Sequence, residues 1–285
     1  MIIGDKRKEV VENIKTAIEK EDFYAKVEIN DPVLTPEEGK EIINKFLSRR
    51  KRFSSRLKSF FARRIANVGT KILNRDTEII GEEKFEALSG GAIITSNHFS
   101  PIENTVVRKL VLKNGHGRLN VVAQLTNFAM KGMIGFLMNY ADTIPLAEDF
   151  RYLNRDFLDI IKEKTDKGET VLIYPEQEMW FNYRKPRPPK RGPYYFAAKL
   201  NVPVVCCFVE MRETEKMEND EFYKVKYILH ILDVLYPDPE KSDKGNSITM
   251  ARRDFELKKE AYEKAYNKLL EYSFEKSDIA GVVKK

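Results

Sequence analysis

Apolar residues follow two different spacings along the chain, one in residues 1–75 and another from about residue 77 onward. In the first part they recur every three or four positions, which places them on one side of an α-helix. In the second part, short apolar runs alternate with longer amphipathic segments, a pattern typical of strands alternating with helices. We therefore predict a helical N-terminal region (1–75) followed by an α/β domain (76–285).

Seven segments of the second part have the character of strands. They lie near residues 77–80, 92–96, 119–123, 142–146, 170–174, 202–209 and 223–232. Helical segments are predicted near residues 102–113, 127–140, 150–166, 193–200 and 250–272. This alternation predicts a mixed, largely parallel sheet flanked by helices, preceded by the helical N-terminal region.

Two helix starts are predicted in the N-terminal region. Asp5 is placed to cap a first helix that ends near Lys20. The sequence "TPEE" is a stronger signal, because Thr35 can be the N-cap, Pro36 suits the first helical position and Glu38 completes a capping box.

A helical apolar stripe follows this second start. Its members are Ile43, Phe46, Leu47, Phe53, Leu57, Phe60, Phe61, Ile65, Val68 and Ile72. In the same segment, eight of the sixteen residues from Arg49 to Arg64 are basic and none is acidic. The stripe can pack on the protein's own core with the basic residues in solvent, or lie in a lipid interface with its basic side on anionic headgroups. The sequence leaves both interpretations open.

Composition limits the class of protein. Apolar residues make up 42% of the chain, charged residues 33%, and the net charge is +6, which favours a globular protein with an anionic partner. No apolar run approaches the roughly 18 residues that a membrane-spanning helix requires. Cys206 and Cys207 are adjacent in a predicted strand, so their side chains point to opposite faces and cannot pair. A reducing, cytoplasmic setting is therefore expected.

The stretch "TSNHFSPIEN" holds the first candidate chemistry. The strand before it ends near Asn97 and His98, and a helix begins a few residues later. The carboxyl ends of parallel strands form the ligand crevice of an open α/β sheet. His98 could act there as a general base, with Glu103 orienting its ring and stabilising the imidazolium. The alternative is an exposed turn histidine with a glutamate that the helix dipole favours. His116 and His230 are expected in an exposed loop and within a strand.

A second polar segment follows the strand at 170–174. Glu176 comes directly after it and should reach the same edge of the sheet. A proline-rich basic loop comes next, and its cations are Arg184, Lys185, Arg187, Lys190 and Arg191. Such a loop can bind phosphate groups or simply form a charged, solvated surface.

The order of these features resembles the lysophospholipid/glycerolipid acyltransferase family, to which the 1-acyl-glycerol-3-phosphate acyltransferases belong. The family's first motif, NHxxxxD, is similar to "NHFSPIE" (97–103), and its third, an apolar pair followed by PEG, is similar to "IYPEQ" (173–177). The fourth, an apolar strand around Val-Pro, is similar to "VPVV" (202–205). The resemblance covers roughly residues 90–210.

The resemblance implies an enzyme of phospholipid biosynthesis. His98 would deprotonate the acceptor hydroxyl, which then attacks an acyl thioester directly, and Glu103 would orient His98. Substrate-binding roles would fall to Asn97, Glu176, Gln177 and the five cations of the basic loop. No covalent acyl-enzyme, metal or cofactor is implied, and acyl-CoA or acyl carrier protein would be the co-substrate. The expected acceptor is a lysolipid such as lysophosphatidic acid, at the inner face of an anionic membrane to which the protein binds peripherally.

Three positions depart from the family pattern. Glu103 stands where the family has aspartate, Gln177 where it has glycine, and Glu148 near the place of a second-motif arginine that contacts the glycerol phosphate. The same chemistry on a different acceptor, such as a glycolipid, and a non-catalytic lipid-binding homologue are therefore the alternatives. Nucleic-acid binding is not expected, because the phenylalanines follow the spacing of a helical core.

Overall fold

A computed structural model describes most of the chain, namely residues 6–29, 32–50, 52–115 and 117–283. Two sequence predictions, the cap at Asp5 and the exposed loop at His116, lie outside the described residues.

Three helices form the N-terminal region: α1 (Arg7–Glu19), α2 (Pro36–Arg49) and α3 (Phe53–Leu73). The capping box predicted at the start of α2 is confirmed. Thr35 Oγ1 accepts a hydrogen bond from the Glu38 N–H at 3.2 Å, and Glu38 Oε2 accepts one from the Thr35 N–H at 2.8 Å. Two otherwise unpaired backbone donors of the first turn are thereby satisfied.

The predicted apolar stripe is divided between α2 and α3, and the two parts have different surroundings. Ile43 and Phe46 of α2 are buried in the main core. The stripe residues of α3 are exposed, from 42% at Ile65 to 81% at Phe53. Packing of the whole stripe on the protein's own core is therefore wrong for α3, which turns only its small residues, such as Ala62, inward. The division of the chain into 1–75 and 76–285 stays a prediction.

Residues 78–266 contain seven strands and the helices between them. The strands are β1 (Glu78–Ile80), β2 (Ala92–Thr95), β3 (Leu119–Gln124), β4 (Thr143–Leu146), β5 (Thr170–Leu172), β6 (Val204–Met217) and β7 (Tyr223–Leu235). The helices are α4 (Glu82–Glu86), α5 (Asn104–Asn114), α6 (Leu125–Phe128), α7 (Gly132–Tyr140), α8 (Leu158–Asp166), α9 (Gly192–Leu200) and α10 (Asp243–Tyr266). A π-helical turn (Tyr152–Phe157) precedes α8, and a short 3₁₀ helix (Lys276–Asp278) lies near the C-terminus.

The seven strands form one sheet in the order β1-β7-β6-β2-β5-β3-β4. Neighbouring strands run parallel except for β6 and β7, which are antiparallel. The predicted mixed, largely parallel sheet flanked by helices is therefore confirmed. Because β6, β2, β5, β3 and β4 all run in one direction, their carboxyl ends meet at the same edge.

Helices cover both faces of the central strands. Ile93 and Ile94 of β2 point to opposite faces, the first into a core with α8, α9 and α10 and the second into a core with α5. Both side chains are fully buried, which explains why the strand reads as a continuous apolar run rather than an alternating one. None of the helices in the described ranges is both long and apolar enough to cross a bilayer.

One predicted helix differs from the structure in a way that shapes the edge of the sheet. The segment 127–140 was expected as a single helix, and it is broken into α6 and α7 by Met130 and Lys131. Gly132 opens α7 with a φ of 65°, a left-handed conformation that glycine adopts without strain.

Candidate active site

His98 and Glu103 meet at the carboxyl edge of the sheet. His98 follows the end of β2, and Glu103 lies immediately before the first residue of α5. His98 Nδ1 and Glu103 Oε1 are 2.6 Å apart. The histidine side chain is 20% exposed whereas that of Glu103 is 2% exposed. A carboxylate therefore holds one ring nitrogen from within the protein, and within the described residues Nε2 has no protein partner.

Tyr174 forms a third side of this pair, and sequence reasoning missed it. Its ring stacks on the His98 imidazole with the centroids 4.1 Å apart and the planes at 10°. Burial, followed by the neighbouring Glu103 carboxylate, raises the pKa of Tyr174 well above its usual value, so the hydroxyl stays protonated. Its place directly before Pro175 and Glu176 was the available signal.

Tyr174 also lies beside the Glu103 carboxylate, and both Glu103 Oε2 and the Tyr174 hydroxyl are buried. The carboxylate behind His98 is thus enclosed by the protein, which distinguishes this pair from an ordinary exposed polar turn.

Asn97 is engaged with β6. Its Oδ1 accepts a hydrogen bond from the Val209 N–H at 2.8 Å, and its Nδ2 donates to the Val209 carbonyl at 3.1 Å. The side chain thus extends the pairing of β2 with β6 by a further step and anchors the residue before His98. A direct contact between Asn97 and substrate stays a prediction.

Glu176 reaches the same edge, as its position after β5 predicted, and it contacts the main chain of His98. Glu176 Oε2 accepts a hydrogen bond from the His98 N–H at 3.2 Å. Its other oxygen, Oε1, accepts one from the Arg187 N–H at 3.1 Å, and Arg187 Nε donates to Oε2 at 3.3 Å. Glu176 is 3% exposed. The structure therefore brings Glu176 to His98 as a buried acceptor of backbone and guanidinium donors.

The basic loop is not an exposed surface along its whole length. Lys185 is buried with its ammonium 2.8 Å from Asp278, and Arg187 is buried against Glu176. The expectation of a solvated basic loop is wrong for these two residues because each is the partner of a buried carboxylate. Arg184 pairs with Glu213 at 2.9 Å.

Lys190 and Arg191 are the exposed cations of the basic loop. They lie next to the edge of the sheet, where the Lys190 N–H donates to the Pro175 carbonyl at 2.8 Å. The predicted substrate-binding roles of the five loop cations stay predictions, and the side chains of these two are exposed to solvent.

The arginines nearest to the second-motif position line an open cleft of about 490 Å³. Arg151 and Arg155 line it together with Lys40 of α2. Glu148 itself is exposed beside the cleft. The arginines nearest to the expected position are therefore three and seven residues further along the chain.

The two cysteines lie in the buried half of β6. Burial raises the pKa of Cys207 to about 12 and that of Cys206 well above its usual value. Both are therefore protonated thiols at neutral pH, and a buried thiol is a poor nucleophile.

Comparison with known proteins identifies the domain. Residues 76–210 match the protein-family model described as Acyltransferase. The crystal structure of the 1-acyl-sn-glycerophosphate (LPA) acyltransferase PlsC from Thermotoga maritima is similar to this chain with a TM-score of 0.52 and 15% identity, covering 92% of this chain and 97% of that one. No curated protein sequence matches the chain.

The acyltransferase family model thus covers residues 76–210, and the predicted resemblance to glycerolipid acyltransferases is confirmed. At 15% identity the similarity to PlsC is one of fold, and it includes the mixed sheet and the helices that precede it.

Gln177 provides a test of the site's backbone. Its φ is 65°, and its side chain is exposed, so the position demands a left-handed conformation from a residue that has a Cβ. This explains why a glycine suits the third motif. We expect Gln177→Gly to leave acyl transfer intact and to shift the free energy of unfolding by between zero and about +1 kcal/mol, because the relief of strain offsets the added chain entropy.

Urea unfolding monitored by circular dichroism measures this shift. Met179→Gly is the control, because Met179 is outside the left-handed region and should lose about 1 kcal/mol. A loss at Gln177→Gly as large as that at Met179→Gly would mean that the glutamine side chain makes a contact of its own.

Proposed function

We propose that the protein transfers a fatty acyl group from an acyl thioester to the hydroxyl of a lysophospholipid such as lysophosphatidic acid. The family of residues 76–210 supports acyl transfer in general. The observation that carries the finer proposal is the 2.6 Å contact of His98 with the buried Glu103, at the edge of the sheet where ligands bind.

The reaction follows from the orientation of the histidine. In the proposed tautomer, Nδ1–H donates a hydrogen bond to Glu103 Oε1, and the lone pair of the partly exposed imidazole is on Nε2, which would receive the proton of the acceptor hydroxyl. His98 removes the hydroxyl proton as the oxygen attacks the thioester carbonyl. The tetrahedral intermediate then collapses, the C–S bond breaks, and the proton passes from the imidazolium to the departing sulfur. Glu103 stabilises the imidazolium between the two proton transfers.

Glutamate in place of aspartate is compatible with this role. Glu103 reaches His98 at ordinary hydrogen-bond length although its side chain is one methylene longer. The stacked Tyr174 ring fixes the plane of the imidazole, so the carboxylate has a defined partner. The second oxygen, Oε2, is buried beside the Tyr174 hydroxyl.

The donor is proposed to be acyl-CoA or an acyl carrier protein. Both carry phosphate, and the carrier protein also has acidic surface, so exposed cations near the site suit either one. Lys190 and Arg191 are such cations.

A different acceptor is the second candidate. The exposed Glu148 stands where the family pattern has a phosphate-contacting arginine, and Lys185 and Arg187 are occupied by buried carboxylates. An acceptor with a hydroxyl but no phosphate, such as a glycolipid, would not need those cations.

The first prediction of this proposal concerns the catalytic base. His98→Ala should lower kcat by about 10²- to 10⁴-fold, the usual contribution of a general base, and Glu103→Gln should lower it by a smaller factor. Mass spectrometry of the products from a mixed lysolipid panel, with acyl-CoA and acyl carrier protein donors, measures the rate and identifies the acceptor.

His230→Ala is the matched control, since His230 Nε2 lies 2.8 Å from the buried Glu210 in a similar pair within the sheet. It should retain activity close to that of the wild type. Equal rates for wild type and His98→Ala would contradict the mechanism, whereas product formed only from glycolipids would select the second candidate.

We infer that the protein binds the surface of an anionic membrane on its cytoplasmic side through α3. The stripe residues of α3 are exposed, and its basic residues Arg56, Lys58 and Arg64 are exposed on the same helix. An apolar face beside a cationic one is typical of helices that lie in the headgroup region. This would bring the acyltransferase domain to lysolipid that is already in the bilayer.

The second prediction tests this surface. Replacing Phe53, Leu57 and Phe61 together by serine should abolish flotation with vesicles that contain anionic lipid, because the apolar contribution to binding is removed while the basic residues remain. A triple serine variant at Met217, Tyr236 and Leu269, which are exposed apolar residues outside α3, should float like the wild type. Flotation of both variants to the same extent would contradict the inference.

A further inference from the structure

The main chain of His98 is held on both sides by residues that follow β5. Its N–H donates to Glu176 Oε2 at 3.2 Å, and its carbonyl accepts a hydrogen bond from the Trp180 N–H at 3.0 Å. The peptide groups before and after His98 are thus fixed by different residues, and the orientation of the Cα–Cβ bond is fixed with them.

Both holding residues lead to the same part of the N-terminal region. We call residues 20–29, between α1 and α2, the N-terminal strap. Trp180 Nε1 donates to the Ala25 carbonyl of the strap at 3.0 Å. Arg187, which binds Glu176, donates through Nη1 to the Phe23 carbonyl at 2.8 Å. Two hydrogen-bond chains therefore run from the strap to His98.

Arg187 is suited to join these chains. Its guanidinium is buried and uses Nε for Glu176, Nη1 for Phe23 and Nη2 for the Glu178 carbonyl. Its central carbon lies 4.3 Å from the centre of the Trp180 ring, so the two chains also touch each other. A planar group with five donors in fixed directions can bind three acceptors at once, which a lysine ammonium on a flexible stem does less rigidly.

The surroundings of Arg187 leave no room for a substrate group on its guanidinium. The residue is 2% exposed, and Trp180 beside it is completely buried. Trp180 packs with Tyr183, Ile14 of α1 and Ile279 near the C-terminus in one apolar cluster. Arg187 therefore lies behind His98, on the protein side.

We propose that Arg187 and the N-terminal strap are positioning elements of the catalytic centre, which hold the main chain of His98 and thereby aim its imidazole without contacting substrate. This rests on the proposed role of His98 as the base. The proposal makes the segment between α1 and α2, which lies outside residues 76–210, part of the support of the catalytic site.

The principal test is Arg187→Met in the full-length protein. Loss of the hydrogen bond and ion pair between the Arg187 guanidinium and Glu176 should lower kcat by about 10- to 100-fold. Displacement of a catalytic group by about 1 Å has effects of that order. The KM values for donor and acceptor should stay within about twofold. The imidazole NMR signals of His98, assigned by their loss in His98→Gln, should shift. Arg252→Met, which removes an exposed cation of α10, should leave kcat and these signals unchanged.

Trp180→Phe gives a second test that avoids a buried unpaired charge. It keeps an aromatic ring in the cluster and removes only the indole N–H that binds the Ala25 carbonyl. We expect a severalfold fall in kcat with the KM values unchanged, and a shift of the His98 signals in the same direction. Tyr183→Phe is the matched control, because Tyr183 contacts the Trp180 ring and its buried hydroxyl has no partner in the described residues.

Three outcomes would overturn the positioning role. The first is an unchanged kcat with unchanged His98 signals in a folded Arg187→Met protein. The second is a raised KM for the acceptor with an unchanged kcat, which would mean that Arg187 contacts the substrate. The third is an unchanged kcat and unchanged His98 signals in Trp180→Phe. If Arg187→Met does not fold, Trp180→Phe decides alone. The NMR signals do not depend on activity, so they separate failure of this proposal from failure of the proposed acyl transfer.

Discussion

A carboxylate buried at the end of a strand must be matched by donors, and Glu176 meets this requirement with the His98 N–H and with Arg187. The path of the chain after β5 depends on that match. Arg187 can reach Glu176 only if the intervening segment turns back over the edge of the sheet, and this brings Trp180 onto the His98 carbonyl. Lys185 then meets Asp278, so the C-terminal segment is fixed to the same place. The segment after β5 thus connects one buried charge to Phe23 in the N-terminal region and to Asp278 in the C-terminal segment.

The location of a histidine–carboxylate pair, more than its geometry, distinguishes the two pairs in this protein. His230 and Glu210 are as well paired as His98 and Glu103, at 2.8 Å against 2.6 Å. Glu210, however, also binds Arg212, and the pair lies across β6 and β7 away from the strand ends. His98 lies beyond the end of β2, at the edge of the sheet where the carboxyl ends of five parallel strands meet. A stacked tyrosine fixes the plane of its imidazole ring. Direct proton transfer is proposed only there.

The parts of the fold set by local pattern could be predicted, and those set by long-range pairing could not. All seven strands were predicted near their observed positions, although β6 continues eight residues beyond its predicted end at residue 209. The central strands were recognisable because strands that are buried on both faces read as continuous apolar runs. The difference between the buried stripe residues of α2 and the exposed ones of α3 was missed, because both helices continue the same periodicity. Periodicity shows which side of a helix is apolar, but not whether another part of the protein covers that side. The burial of Lys185 and Arg187 could not be predicted from the sequence. The partner of Lys185, Asp278, is distant in sequence, and the partner of Arg187, Glu176, is buried at the end of a strand. Tyr174 was missed because its stacking on His98 joins two segments that follow different strands and are distant in sequence.

The central claim is that His98 activates the acceptor for direct attack on the thioester, with no acylated protein in between. Initial rates measured while both donor and acceptor concentrations are varied test this most directly. The account predicts double-reciprocal plots that intersect, as for a ternary complex, and an unchanged intact mass when the protein is incubated with acyl donor alone. Parallel plots together with a protein mass increased by one acyl group would contradict it.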